Sequence, residues 1–147
     1  SLRIVVIETG VPYTGVKPAA PEKTAYGIGD KVTMKGTEIT IDNTFTTTSM
    51  PGGISSSSGN IFYAVTFTVL TSNQPKNNQY WGARNFINGI TTVNGTMTSS
   101  FCQPKASEIY PNQSTSVTVY YTIKQTDQIA SVDVANAIGA SEKVLVY

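Results

Sequence analysis

Apolar and polar residues alternate one for one along most of this chain, the period of a strand with one face against a core. In "NIFYAVTFTVLTSN" the alternation puts Ile61, Tyr63, Val65, Phe67 and Val69 on one face. Phe62, Ala64, Thr66, Thr68 and Leu70 fall on the other. Both faces carry apolar groups, which predicts a central strand. "STSVTVYYTI" is cleaner, with Val117, Val119, Tyr121 and Ile123 inward and Thr118, Tyr120 and Thr122 outward. In "KVTMKGTEITI" the apolar positions move from even (Val32, Met34) to odd (Ile39, Ile41), so Gly36-Thr37 marks a bulge or the join of two strands. "FINGITTV" predicts a hairpin turning at Asn88-Gly89, a pair suited to the positive φ angles of a type I′ turn. "ASVDVANA" and "SEKVLVY" predict two late strands, with Val132 and Val134, then Val144 and Val146, facing in.

The connecting segments "TTTSMPGGISSSSGN", "TSNQPKNNQYWG" and "CQPKASEIYPNQ" are polar and rich in Gly, Pro, Ser and Asn. No stretch shows helical period and no repeat is visible. Many short strands between turn signals predict an all-β fold, an antiparallel β-sandwich of immunoglobulin-like, Greek-key type. The single cysteine excludes the Cys…Trp…Cys hallmark of true immunoglobulin domains.

The organisation ahead of that sandwich is unusual. "SLRIVVIETG" reads as a strand over residues 1–10, with Leu2, Ile4 and Val6 on one face and Val5 and Ile7 on the other. Residues 11–29 hold Pro12, Pro18 and Pro21 and read as a tether; the sandwich is expected over 30–147. Burying five aliphatic side chains yields about 1.5–3 kcal/mol each. Ordering ten residues costs about 1–2 kcal/mol per residue, so the strand has to dock on a sheet to be stable. It has two homes: its own sandwich, or that of a neighbouring copy. An extended tether at about 3.1 Å per residue reaches roughly 60 Å, whereas a domain of this size is about 35–40 Å across. The tether favours the neighbour. A strand given by one copy to the next is a heterologous contact, and such contacts build open filaments when they do not close.

Composition narrows the chemistry. Of the 147 residues only 13% are charged, and the net charge is +1. Ser, Thr, Asn and Tyr carry the surface instead, with no footprint for nucleic acid. Histidine is absent, which removes the commonest general base and metal ligand. There is no Ser-His-Asp set, HExxH or Gly-rich phosphate loop, and the acidic residues are scattered, with Asp42 and Asp127 read as turn residues and Asp30 and Asp133 as solvated. No enzyme activity, cofactor or metal site is expected. Cys102 is read as a buried small hydrophobe. No run approaches the ~20 apolar residues of a membrane span.

Asn94-Gly95-Thr96 and Asn112-Gln113-Ser114 fit the glycosylation acceptor Asn-X-Ser/Thr. Together with the low charge and Ser/Thr/Asn coat, they lean toward an extracellular or cell-surface location. Tyr80-Trp81, near Phe86, could line a binding surface, but Trp81 is read as plugging the sandwich end. A lysine–asparagine isopeptide crosslink would need groups such as Lys31, Lys35 and Asn136 to meet in the core, and the sequence does not bring them together.

The plan of "SLRIVVIETG", a Pro-containing tether and a Thr/Ser/Asn/Tyr-rich sandwich resembles secreted archaeal surface-filament subunits of the thread and bundling-pilus type. The resemblance is architectural and extends over the whole chain. It implies donor-strand complementation into a head-to-tail homopolymer of identical subunits, with Leu2, Ile4, Val5, Val6 and Ile7 as the donor strand. Type IV pilins and archaellins instead begin with a long apolar helix, which Gly10 and Pro12 do not allow. Residues 28–147, through "IGDKVTMKGTEITI", "NIFYAVTFTVLTSN" and "EIYPNQSTSVTVYYTI", also resemble telokin-like domains of surface lipoproteins and the sandwich of S-layer-binding archaellum stator proteins. That second likeness implies an envelope-anchoring role, with surface glycans or the S-layer as partners.

Overall fold

The computed structural model describes residues 25–147. The predicted donor strand and most of the tether lie outside them. In chain order the strands are β1 (Tyr26–Gly27), β2 (Lys31–Met34), β3 (Thr37–Thr47), β4 (Ser49–Met50), β5 (Ile54–Ser55), β6 (Asn60–Thr71), β7 (Ile87–Thr92), β8 (Met97–Thr98), β9 (Thr115–Lys124), β10 (Ile129–Ala135) and β11 (Ser141–Leu145). A 3₁₀ turn, Ala83–Asn85, precedes β7. β2-β3-β6-β9 form one sheet, β1-β11-β10-β7-β8 the other, and β4-β5 a small hairpin.

All neighbours pair antiparallel except β1, which runs parallel to β11 through Tyr26↔Val144 and Gly27↔Leu145. The end of the predicted tether therefore belongs to the sandwich. From β6 the chain crosses to the β7–β8 hairpin of the other sheet, returns to β9 and crosses again to β10, in the Greek-key manner of immunoglobulin-like folds.

β6 is central, flanked by β3 and β9 along its length. Its inward residues Val65, Phe67 and Val69, with Ile39, Ile41, Val119 and Tyr121, bury against Ile87, Ile90, Val132, Val134 and Val144 of the opposite sheet. The parity change in "KVTMKGTEITI" is the join of β2 and β3, a tight turn in which Gly36 has φ 77°. Tyr120, expected outward, is buried in a second cluster with Met50, Phe62 and Ala64, because the β4–β5 hairpin brings Met50 onto that outer face.

Asn88-Gly89 is not a turn. Both residues lie inside β7, and Gly89 pairs with Asp133 of β10. A Cβ on Gly89 would sit 2.5 Å from the Thr98 carbonyl oxygen, so glycine here permits close approach of β8. The hairpin turns one Asn-Gly later, at Asn94-Gly95, where Gly95 has φ 89° and donates its N–H to Thr92 O at 2.9 Å.

Tyr121 is wholly buried, and its hydroxyl has no hydrogen-bond partner among the described residues. Burial, and secondarily the charge of Asp133, push its phenol pKa well above the ordinary range. Tyr121→Phe removes the orphaned oxygen and keeps the ring, so it should raise unfolding free energy by about 1 kcal/mol in urea titrations. The sign of the pH effect follows. A raised folded-state pKa leaves stability intact below about pH 10, where unfolded tyrosine starts to ionise, and stability falls as pH rises beyond that. The Tyr121→Phe variant should lose less stability between pH 10 and 12 than the parent.

Candidate functional site

The chain places its densest polar network at one end of the sandwich. There the segment leaving β6 meets the β10–β11 turn. Asn136 is buried at 1% exposure, yet both ends of its side-chain amide are engaged. Nδ2 donates to Lys35 O at 3.1 Å, and Oδ1 accepts from Ile138 N at 3.0 Å and Ala140 N at 2.9 Å. Asn73 ties in from the other side, its Nδ2 donating to Asn136 O at 3.0 Å and to Lys35 O at 3.1 Å. Thr37 and Thr71 join hydroxyls at 2.9 Å beneath them. Gly36 is required here for a second reason, since a Cβ would overlap the Asn73 side chain.

Above this network lies a cleft of about 570 Å³, lined among others by Gln74, Asn77, Asn78, Tyr80, Trp81 and Ile138. Trp81 is half-buried, donates Nε1–H to Asn73 O at 2.9 Å and packs edge-on against Phe86. Its main chain bridges to Ile109. Trp81 therefore does plug the sandwich end as expected, and it also forms a wall of the cleft. Tyr80 is 39% exposed and leans on Tyr110 at 5.6 Å between ring centroids. Ala137 has φ 72°, a strained value for a residue with a Cβ. The loop it opens presents Ile138, 51% exposed, to the cleft.

The other residues singled out from sequence are dispersed. Leu2, Ile4, Val5, Val6 and Ile7 lie outside the described residues. Asn94 is exposed at the β7–β8 turn, and Asn112 is exposed with φ 65° in the turn before β9; both could accept a glycan without touching the core. Cys102 is exposed rather than buried. It lies at the sheet edge, bridged through its main chain to Tyr120 of β9. Asp127 serves its turn by accepting from Lys124 N at 3.0 Å. Asp42 does not form a turn but sits at a bulge within β3, accepting from Thr68 Oγ1 at 2.6 Å. Asp133 pairs with Lys143 at 3.0 Å instead of standing free in solvent, and Lys31 pairs with Glu38 at 3.5 Å. Asn136 meets the main-chain oxygen of Lys35, with its amide already engaged. Among the described residues no group of three or more His, Cys, Asp or Glu is placed to hold a metal, and no helix is long and apolar enough to cross a membrane.

The sheet edges are the second feature of note. β2 pairs with only Thr37–Thr40 of β3. Gly29 N donates to Ile41 O at 2.8 Å. Among the described residues no strand continues beside β3 from Asp42 to Thr47. The ladder fixes which groups face that edge. Tyr120 exchanges both main-chain bonds with Cys102, so its partner Ala64 turns its own toward Phe45. By the alternation of antiparallel pairs, Thr44 and Thr46 present their N–H and C=O groups outward. β9 is the other long edge of the same sheet, but the Cys102 segment crosses it near its middle.

Fold and topology define an antiparallel β-sandwich protein. No family model matches the chain, and no curated protein matches it. An uncharacterized beta-sandwich protein from Clostridium difficile 630 matches in structure with a TM-score of 0.54 at 14% sequence identity, over 88% of this chain and 98% of that one. The likeness is one of fold.

Proposed function

We propose that this protein is a structural subunit of an extracellular pilus-like filament, in which Leu2, Ile4, Val5, Val6 and Ile7 of one copy add as a strand to the next. The observation that carries the reading is the edge of β3 at Asp42–Thr47, open among the described residues and about as long as the apolar run Leu2–Ile7. An added strand there continues the line of β2, gains main-chain hydrogen bonds from Thr44 and Thr46, and lays one face beside Phe45, which is 41% exposed. The β9 edge serves less well because Cys102 interrupts it. An uncovered edge of this kind is an aggregation hazard unless it is paired.

Thr46→Pro tests the acceptor. Its N–H points away from β6, so proline there breaks no ladder bond within the sheet but removes a donor from the open edge. The variant should melt within a few degrees of the parent and form no filaments in electron micrographs. Filaments of normal length from a folded Thr46→Pro protein would exclude this edge as the acceptor.

The end cleft favours a second reading, an envelope-binding sandwich that does not polymerise. On that reading the intact chain runs as a small species in size-exclusion chromatography and retains an envelope partner.

A further inference from the structure

We propose that the cleft between the 74–82 segment and the β10–β11 turn binds a neutral saccharide. This goes beyond strand addition and does not depend on it. At about 570 Å³ the cleft has the volume of a small-ligand site. Its lining has an unusual chemistry: four carboxamides (Gln74, Asn77, Asn78 and Asn85), two aromatic side chains (Tyr80 and Trp81) and no carboxylate. A carboxamide offers an acceptor and two donors side by side, the complement of adjacent sugar hydroxyls, which both give and take protons. An aromatic face suits the C–H face of a pyranose ring, an apolar body with polar edges.

Other ligand classes fit less well. A cation would lack anionic ligands. A nucleic acid would meet one lysine, Lys76, in a chain of net charge +1. A wholly apolar ligand would strip water from four amides and repay none of them.

The site is also held in shape before any ligand arrives. Asn73 fixes the Trp81 indole through its carbonyl and reaches across to Asn136 O through its amide. The Asn136 side chain in turn fixes the amides of Ile138 and Ala140 on the facing wall. Asn85 uses Oδ1 to hold Gly82 N at 3.0 Å, which leaves its NH₂ group as a donor. Both walls thus hang from one hydrogen-bonded network just past the ends of β6 and β10, and the left-handed Ala137 is strain of the kind that persists at binding sites.

Trp81 is the single tryptophan of the chain, so fluorescence excited beyond the tyrosine absorption band reports on this cleft alone. The intact protein would be titrated with maltohexaose, cellohexaose, mannohexaose and chitohexaose. A glycopeptide carrying a neutral Asn-linked glycan and a sialylated oligosaccharide complete the set. At least one neutral probe should give a saturable change at micromolar to millimolar concentration. Tyr80→Ala and Asn78→Ala, neither of which touches the Asn73–Asn136 network, should each weaken that binding tenfold or more with the melting temperature unchanged. Preference for the glycopeptide over the free hexaoses points to a glycoprotein source, and the reverse to a free polysaccharide; either supports the site. No saturable response to any neutral probe, binding of the sialylated probe alone, or binding unchanged in both variants would overturn it. Filament formation is scored separately by sedimentation, so failure here leaves strand addition standing.

Discussion

Asn136→Ala is expected to lower the unfolding free energy by about 3 kcal/mol. Its side chain satisfies three main-chain groups, Lys35 O, Ile138 N and Ala140 N, at a position with 1% exposure. Truncation leaves Ile138 N and Ala140 N without partners and Lys35 O with its bond from Asn73 alone, and each orphan costs about 1–3 kcal/mol when water cannot reach it. Some relaxation of the exposed 138–140 loop keeps the total near the lower end. A domain of this size has about 5–15 kcal/mol to lose, so the effect is large. Asn136→Asp separates the contributions: it retains the acceptor for Ile138 and Ala140 but turns the donor facing Lys35 O into a second acceptor. It should fall between the parent and the alanine variant in urea unfolding. Equal losses would mean that the bond to Lys35, which joins the two sheets, carries the effect.

The predicted strand and most of its tether precede the described residues, whereas the interior is built from strands that start at Tyr26. Val32, Ile39, Phe67, Tyr121, Val132 and Val144 close the two sheets on each other. Removal of residues 1–10 is therefore expected to leave the sandwich folded, with its far-ultraviolet spectrum and cooperative melt retained. On the proposed reading, the same deletion abolishes assembly. Adding back a peptide of residues 1–10 to the shortened protein should fill the β3 edge without propagating a chain, giving a one-to-one complex. The same peptide in excess should shorten filaments of the intact protein by capping their open ends.

Much of the fold was legible where one rule governed both neighbours. β6 and β9 declared themselves through β-branched and aromatic residues at period two, and both placed their predicted inward residues in the core, save Ile61, which is partly buried at its margin. The fold class follows from repeating that pattern between turn signals. What escaped the sequence depended on neighbours distant in the chain. Asn88-Gly89 carries the same local turn signal as Asn94-Gly95, but Gly89 is held in the ladder by Asp133 of β10 and lies against Thr98, contacts that no local signal carries. Tyr120 and Cys102 were misplaced for a related reason. A hairpin near Met50 covers the outer face, while the Cys102 segment lies along an edge with its thiol outward. The parallel pairing of β1 with β11 joins the two ends of the described chain, beyond the reach of periodicity.

The candidate site was legible only in fragments. Tyr80 and Trp81 stood out as an aromatic pair, and Asn136 only as one group an isopeptide crosslink would need. The network that joins them through Asn73 links positions 63 residues apart, and no spacing rule connects an asparagine after β6 to one after β10. The β3 edge left open among the described residues was equally hidden, because it exists only where the pairing with β2 stops at Thr40, two residues before the bulge at Asp42.

Sedimentation of the intact chain beside the chain lacking residues 1–10, in the same buffer and at the same concentration, tests strand-mediated assembly most directly. Strand addition predicts that the intact chain pellets as polymers and that the shortened chain stays in the supernatant as a folded monomer. An intact chain that remains monomeric, or a shortened chain that still pellets as ordered filaments, would contradict it.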